Sequence, residues 1–282
     1  MIETDDGQPG VAPASFTRGA ILASVLVVAI PAIISVSTLA MDHTGSEPHR
    51  EIVDVNVYPW SSIGKVGFSS FNVAKACTGA VIGANQFLTS AHCLYKNHFM
   101  SPESIHFLLG YIKGEYRAHR VASRYTVLPT FVPSKTDTLG DDWAVVYIDE
   151  PFPQGTRPLR LATEIPFSGT AVKIGGYPME RSHMMTADEH CRIKAVSADR
   201  KLIAHDCVVH HGDSGGPLLS ADGDAEGLIL GVNSLGYSPL VELQEQSKEG
   251  GIAVVQTKRV SQGIAEYERS LTLDPNLAES RV

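Results

Sequence analysis

The chain has 282 residues and a formal charge of −8, with no cluster of Lys and Arg, which argues against a face that tracks nucleic-acid phosphates. Hydrophobic residues make up 43% and charged residues 19%, which suits a sizeable core and excludes a wholly disordered chain. The 25 glycines and 16 prolines imply many turns and exclude a helical bundle or a coiled coil.

Residues 1–18 form an N-terminal tail in which Glu3, Asp5 and Asp6 face only one base, Arg18. From Gly19 to Ala40 no charged residue occurs, and a helix of that length crosses a hydrocarbon layer of ~30 Å. Residues 19–40 are therefore expected to be a signal peptide or a membrane anchor. Thr38-Leu39-Ala40 offers the small residues of a signal-peptidase site, whereas the long apolar run and its acidic flank suit a retained anchor. Residues 41–51 are polar and turn-prone, which reads as a linker or propeptide, and the folded part is expected to start near Ile52.

Beyond Ile52, short apolar runs alternate with Gly, Asn, Asp or Pro: IGKVGF, GAVIG, IHFLL, WAVVYI, AVKIGGY, CRIKAV, KLIAH, LILGVNSL and GIAVVQ. Without any internal repeat, this pattern predicts an all-β domain. Near the C-terminus Val260, Ile264, Tyr267 and Leu271 recur at helical spacing and predict one helix, followed by a polar tail.

Cys77, Cys93, Cys191 and Cys207 allow three pairings, and an export segment puts them in an oxidising compartment. The members of each sequential pair are 16 residues apart, which favours local bridges. Closing each ring would remove about 3 kcal/mol of unfolded-chain entropy in the loop model. The rival is a zinc site built from His190 with Cys191 and His205 with Cys207, but paired CxxC or HxxxH spacing is absent.

Chemistry concentrates in three segments. His211-Gly212-Asp213-Ser214-Gly215-Gly216-Pro217 flanks a serine with glycines, which lets the backbone turn tightly and aim adjacent N–H groups at one point. A serine hydroxyl is a weak nucleophile unless an imidazole takes its proton and a carboxylate fixes the imidazole tautomer. Leu88-Thr89-Ser90-Ala91-His92-Cys93 supplies a histidine, and Asp142 precedes the apolar run Trp143–Ile148.

The order His, Asp, Ser and the segments TSAHC, DWAV and GDSGGP resemble the chymotrypsin-like (trypsin-fold) serine proteases, over roughly residues 52–265. The short stretch between Asp142 and Ser214 is most similar to compact bacterial members. The resemblance implies two packed antiparallel six-stranded β-barrels with a C-terminal helix, preceded here by the N-terminal hydrophobic helix. Residues 266–282 would hold the end of the C-terminal helix and the tail. It implies a serine endopeptidase that acts through an acyl-enzyme intermediate, and residues 19–40 add the expectation of export, to a secreted or periplasmic place or one anchored to a membrane by that segment. Position by position, Ser214 is the nucleophile, His92 the base and then acid, and Asp142 the orienting carboxylate. Gly212 and Ser214 donate the oxyanion-hole N–H groups. Cys77–Cys93 matches the family's bridge beside the histidine, and Cys191–Cys207 fits a bridge of the second barrel.

For substrate selection the resemblance puts Val208 on the floor of the primary pocket, with Asn233, Ser234 and Gly236 against the substrate backbone. A Val floor cannot neutralise Lys or Arg, so an apolar or small residue is expected there. The alternative is an acidic side chain received by His210, His211 and Asn233. In the animal branch of the family, cleavage would free an N-terminus at Ile52 whose ammonium pairs with Asp213; in compact bacterial members that aspartate is often satisfied otherwise, and Ile52 would simply start the first strand. The partner is a protein or peptide substrate, with no nucleic acid, metal or organic cofactor, and the chain is expected to be a monomer that meets a membrane only through residues 19–40. The rival function is a catalytically inactive binding or adhesion module on the same fold.

Overall fold

The structure, a computed structural model, describes residues 50–68, 76–235 and 251–254. The hydrophobic segment 19–40, the helix expected around Val260–Leu271 and Gly236 lie outside them. Among the described residues no helix is long and apolar enough to cross a membrane.

The protein is mostly β. After the short β1 (Glu51–Ile52) come β2 (Ile63–Phe68), β3 (Cys77–Gly83), β4 (Gln86–Thr89), β5 (Ile105–Leu109), β6 (Ala118–Val127) and β7 (Ala144–Ile148). Strands β2 to β7 close a six-stranded antiparallel barrel in the order β2-β3-β4-β7-β6-β5. The chain continues through β8 (Arg160–Leu161), β9 (Ala171–Gly176), β10 (Thr186–Val196), β11 (Leu202–His205), β12 (Pro217–Ser220), β13 (Leu228–Leu235) and β14 (Gly251–Val254). These strands and β1 build an eight-stranded sheet in the order β1-β10-β11-β14-β13-β12-β9; β8 lies parallel to β13, and β9 also pairs with β10. Every apolar run named above contributes a strand.

Residue alternation explains why a continuous apolar run such as Ala144–Ile148 is stable. Ala144, Val146 and Ile148 point into the barrel with Val66, Val81, Phe87 and Phe107. Val145 and Tyr147 point outward into a second core shared with Trp60, Trp143, Leu219 and Ile229. A strand covered on both faces has no use for polar residues. The same alternation divides β12, where Leu219 joins that shared core and Leu218 joins Val172, Ile174, Ile193 and Ile203 inside the eight-stranded sheet. The two halves therefore pack through an apolar layer, and polar residues at its edge can be held from both sides.

Both local disulfides form: Cys77–Cys93 joins β3 to the segment after β4, and Cys191–Cys207 joins β10 to the chain leaving β11. All four sulfurs are thereby committed, so no thiolate is left for the zinc reading, and the grouping of Cys77, His92 and Cys93 offers only one nitrogen ligand.

His205, at the end of β11, is fully buried beside Asn233. Burial disfavours its charged form and brings its pKa down to about 4, against smaller upward effects of Asp206 and Asn233. The unfolded chain takes up this proton near 6.5, so the neutral ring's contribution is full above that value and declines as pH falls toward about 4. We expect stability to drop over this window by on the order of 3 kcal/mol because of this residue. Urea titrations at pH 7 and pH 4.5 should show a smaller drop in a His205→Gln chain; an equal drop in both chains would refute the assignment.

Candidate active site

The three segments meet at the edge of the layer between the halves. His92 sits in a single 3-10 turn, Ala91–Leu94, that leaves β4, and the Cys93 bridge fastens this turn to β3. Asp142 follows the 3-10 segment Thr136–Asp141 and is 1% exposed. Its Oδ2 lies 2.6 Å from His92 Nδ1, and its Oδ1 accepts the His92 backbone N–H at 2.8 Å. Ser234 Oγ donates a short bond to the same Oδ2. A carboxylate held on three donors fixes the imidazole with Nδ1 protonated, leaving Nε2 as a proton acceptor. Burial of the ring opposes its charged form, and the charge and hydrogen bond of Asp142 together outweigh it, so His92 titrates above its ordinary 6.5.

Ser214 reaches this place from β12's side. Its carbonyl accepts the Thr78 N–H at 2.8 Å. The Cys93 sulfur lies 3.7 Å from that carbonyl and 3.8 Å from His92 Nε2, so the serine and the imidazole share a sulfur neighbour. Hydroxyls buried between the halves set the register of this approach. Thr78 Oγ1 donates to Gly212 O at 2.8 Å and accepts from Tyr177 N, Thr89 Oγ1 donates to Thr78 O, and Ser90 Oγ donates to Asn233 O. Thr78, Thr89 and Ser90 escaped the sequence reading, although Thr89 and Ser90 stand inside the TSAHC segment.

The loop before Ser214 uses glycines where nothing else fits. Gly212 has φ +103°, and an added Cβ would meet Tyr177 O at 2.4 Å. Gly215 has φ +82°, and its Cβ would meet Thr89 Oγ1 at 2.1 Å. Neighbouring amides are spent inside the protein: Asp213 N–H on His210 O, Gly215 N–H on Asn233 O and Gly216 N–H on Asp213 O. Among the described residues no acceptor takes the N–H of Gly212 or Ser214. Two unspent amides beside a serine can stabilise an oxyanion.

Asp213 is fully buried, and in the uncut chain its partner is Arg50. The carboxylate is held by Arg50, with Nη1 to Oδ2 at 2.8 Å and Nη2 to Oδ1 at 3.1 Å, and it also accepts the His210 N–H at 2.8 Å. Ile52 is 53% exposed in β1, paired with Thr186. Arg50 and Glu51, read as the end of a polar linker, thus belong to the folded part.

Val208 donates its N–H to Asp188 Oδ2 and gives its carbonyl to Arg50. Together with Arg50, Thr186, Pro178, Arg181 and His210 it borders a cavity of about 500 Å³. Asn233 is 1% exposed, and its backbone bonds Gly215, Gly216 and Ser90. Ser234 is 2% exposed with its hydroxyl on Asp142, so it has only its backbone to offer a substrate. His210 and His211 are exposed. Asp206 pairs with Lys194 at 2.6 Å and accepts the Arg192 N–H, so both of its carboxylate oxygens are committed to these partners.

A family model described as Trypsin matches residues 53–245. No curated protein matches the chain. Among solved structures, a Glu endopeptidase in complex with MPD is similar at a TM-score of 0.63 and 20% identity, over 79% of this chain and 98% of that one. The VesB protease of Vibrio cholerae is similar at 0.57 and 16% identity, over 74% of this chain and 64% of its own. Neuropsin, a serine protease expressed in the limbic system of mouse brain, is similar at 0.58 and 16% identity, over 76% and 98%.

Proposed function

The chain belongs to the trypsin family of chymotrypsin-like serine proteases, and from that premise we propose that it is an exported endopeptidase with His92, Asp142 and Ser214 as its catalytic residues. The observation that carries the reading is the carboxylate of Asp142, which is buried, bonded to His92 Nδ1 and braced by Ser234. In this reading Ser214 Oγ attacks the scissile carbonyl carbon and passes its proton to His92 Nε2. The oxyanion is received by the N–H groups of Gly212 and Ser214. His92 then gives its proton to the leaving amine, and water resolves the acyl-enzyme by the same steps in reverse roles.

We read the eight-stranded sheet as the family's second barrel, supported by its β9–β10 pairing. Val208 would floor the primary pocket, with Asn233, Ser234 and Gly236 beside the substrate. The commitment of Asp206 to Lys194 supports an apolar or small residue in the pocket over Lys or Arg. Two disulfides and residues 19–40 support export. Incubation of the purified chain with a fluorophosphonate tests the reading. We expect one adduct, on Ser214, and none on the Ser214→Ala chain; a folded chain that takes up no label at Ser214 would refute it.

A further inference from the structure

Arg50 makes more bonds than an ordinary ion pair needs. Its five N–H donors meet five acceptors: Nε on Thr186 Oγ1 at 3.0 Å, Nη1 on Val208 O and Asp213 Oδ2 at 2.8 Å each, and Nη2 on Thr186 O at 2.6 Å and Asp213 Oδ1 at 3.1 Å. The side chain is 5% exposed and the carboxylate fully buried. This is a site shaped for a guanidinium, since Lys presents a point charge with three donors and no planar fork.

The consequence for the serine loop runs through Asp213. Held inward by Arg50, its carboxylate accepts the His210 N–H while its own N–H returns to His210 O, which closes the turn that contains Gly212. Without Arg50 a buried carboxylate would lack its counter-charge and would have to take up a proton or leave the interior. Either change opens the turn and redirects the Gly212 N–H.

Resting on the protease reading above, we propose that Arg50 is a positioning residue that orders the oxyanion loop from within the uncut chain. No newly freed N-terminus is then required. A cut on either side of Glu51 detaches Arg50 from the fold, so cleavage just before Ile52 inactivates this protein instead of activating it.

The test compares the wild-type chain, Arg50→Ala and Arg50→Lys for melting, fluorophosphonate labelling and peptide hydrolysis. N-terminal sequencing of the labelled species accompanies it. We expect the labelled wild type to retain Arg50. The Arg50→Ala chain should lose on the order of 100-fold in kcat, the scale of a lost oxyanion donor. Because the cavity of about 500 Å³ reaches the vacated place, millimolar guanidinium should restore several-fold of that activity. The Arg50→Lys chain should lose activity as pH rises through the lysine range near ~10, a limb the wild type lacks because a guanidinium keeps its proton there. That limb is read even if the alanine variant fails to fold. Equal kcat in wild type and Arg50→Ala, a lysine variant without the alkaline limb, or a labelled species that begins at Ile52 would each overturn the proposal. A folded wild type that neither labels nor hydrolyses overturns the protease reading and this proposal with it, whereas a labelled wild type matched by Arg50→Ala overturns this proposal alone.

Discussion

Replacement of Ser214 or of His92 by Ala should each remove about a millionfold of kcat, the loss seen when one member of a serine–histidine pair is deleted in another enzyme of the same chemistry. The two losses should be equal, and the double variant should be no worse. Without His92 the hydroxyl has no acceptor for its proton, and without Ser214 no covalent intermediate forms, so removing the second group takes away nothing that still acts. Both variants should fold. Ser214 is fixed by its carbonyl on Thr78, which the substitution leaves in place, and the His92 turn keeps its bridge from Cys93 to Cys77. Single-turnover hydrolysis of an activated ester, with melting curves as the control, measures the effect. More than a few per cent of activity in either folded variant would rule out the assignment, and additive losses would show that the two residues act separately.

The strands were legible because each apolar run has strand length and is bounded by turn residues. What could not be read was which core each residue enters. In WAVVYI no polar residue marks a face, and only the packing shows that Val145 and Tyr147 look toward Leu219 and Ile229 while Val146 looks into the barrel. The site divides in the same way. TSAHC, DWAV and GDSGGP are local strings whose residue types state their chemistry, and the fold brings them together. Arg50 gave no such signal. Next to Pro48, His49 and Glu51 it reads as a solvated charge, and its partner Asp213 lies 163 residues away. A charge becomes informative only when its burial is known, and burial is a property of the folded chain. Ser234 teaches a related lesson. Its place in the chain suggested a backbone contact with substrate, and nothing in the string announced that its hydroxyl turns inward to Asp142, where a buried carboxylate needs every donor it can find.

Asp142→Asn should lower kcat by about ten-thousandfold, whereas Asp141→Asn should leave it within a few-fold of wild type. The two aspartates are adjacent and both buried, yet they face different partners. Asp141 closes the 3-10 segment, accepts from Thr130 Oγ1 at 2.6 Å and lies 3.7 Å from Lys201 Nζ. Asp142 takes the His92 ring, the His92 N–H and the Ser234 hydroxyl. An amide there has one acceptor oxygen for three donors, and its NH2 group would face Nδ1 or Ser234 as a fourth donor. Where it faces Nδ1 it forces the proton to Nε2, the tautomer that cannot accept from Ser214. The pH profile separates this from general damage. In the wild type, activity should require neutral His92 and be lost as pH falls through a pKa that Asp142 holds above 6.5. With the carboxylate gone, only burial acts on the ring, so the residual activity of Asp142→Asn should persist to lower pH than in the wild type. In Asp141→Asn the acid limb should stay where it is. Titration of kcat/KM between pH 4 and 9 in the three chains measures both effects, and an acid limb unmoved by Asp142→Asn, or equal losses at the two positions, would show that His92 is oriented by some other group.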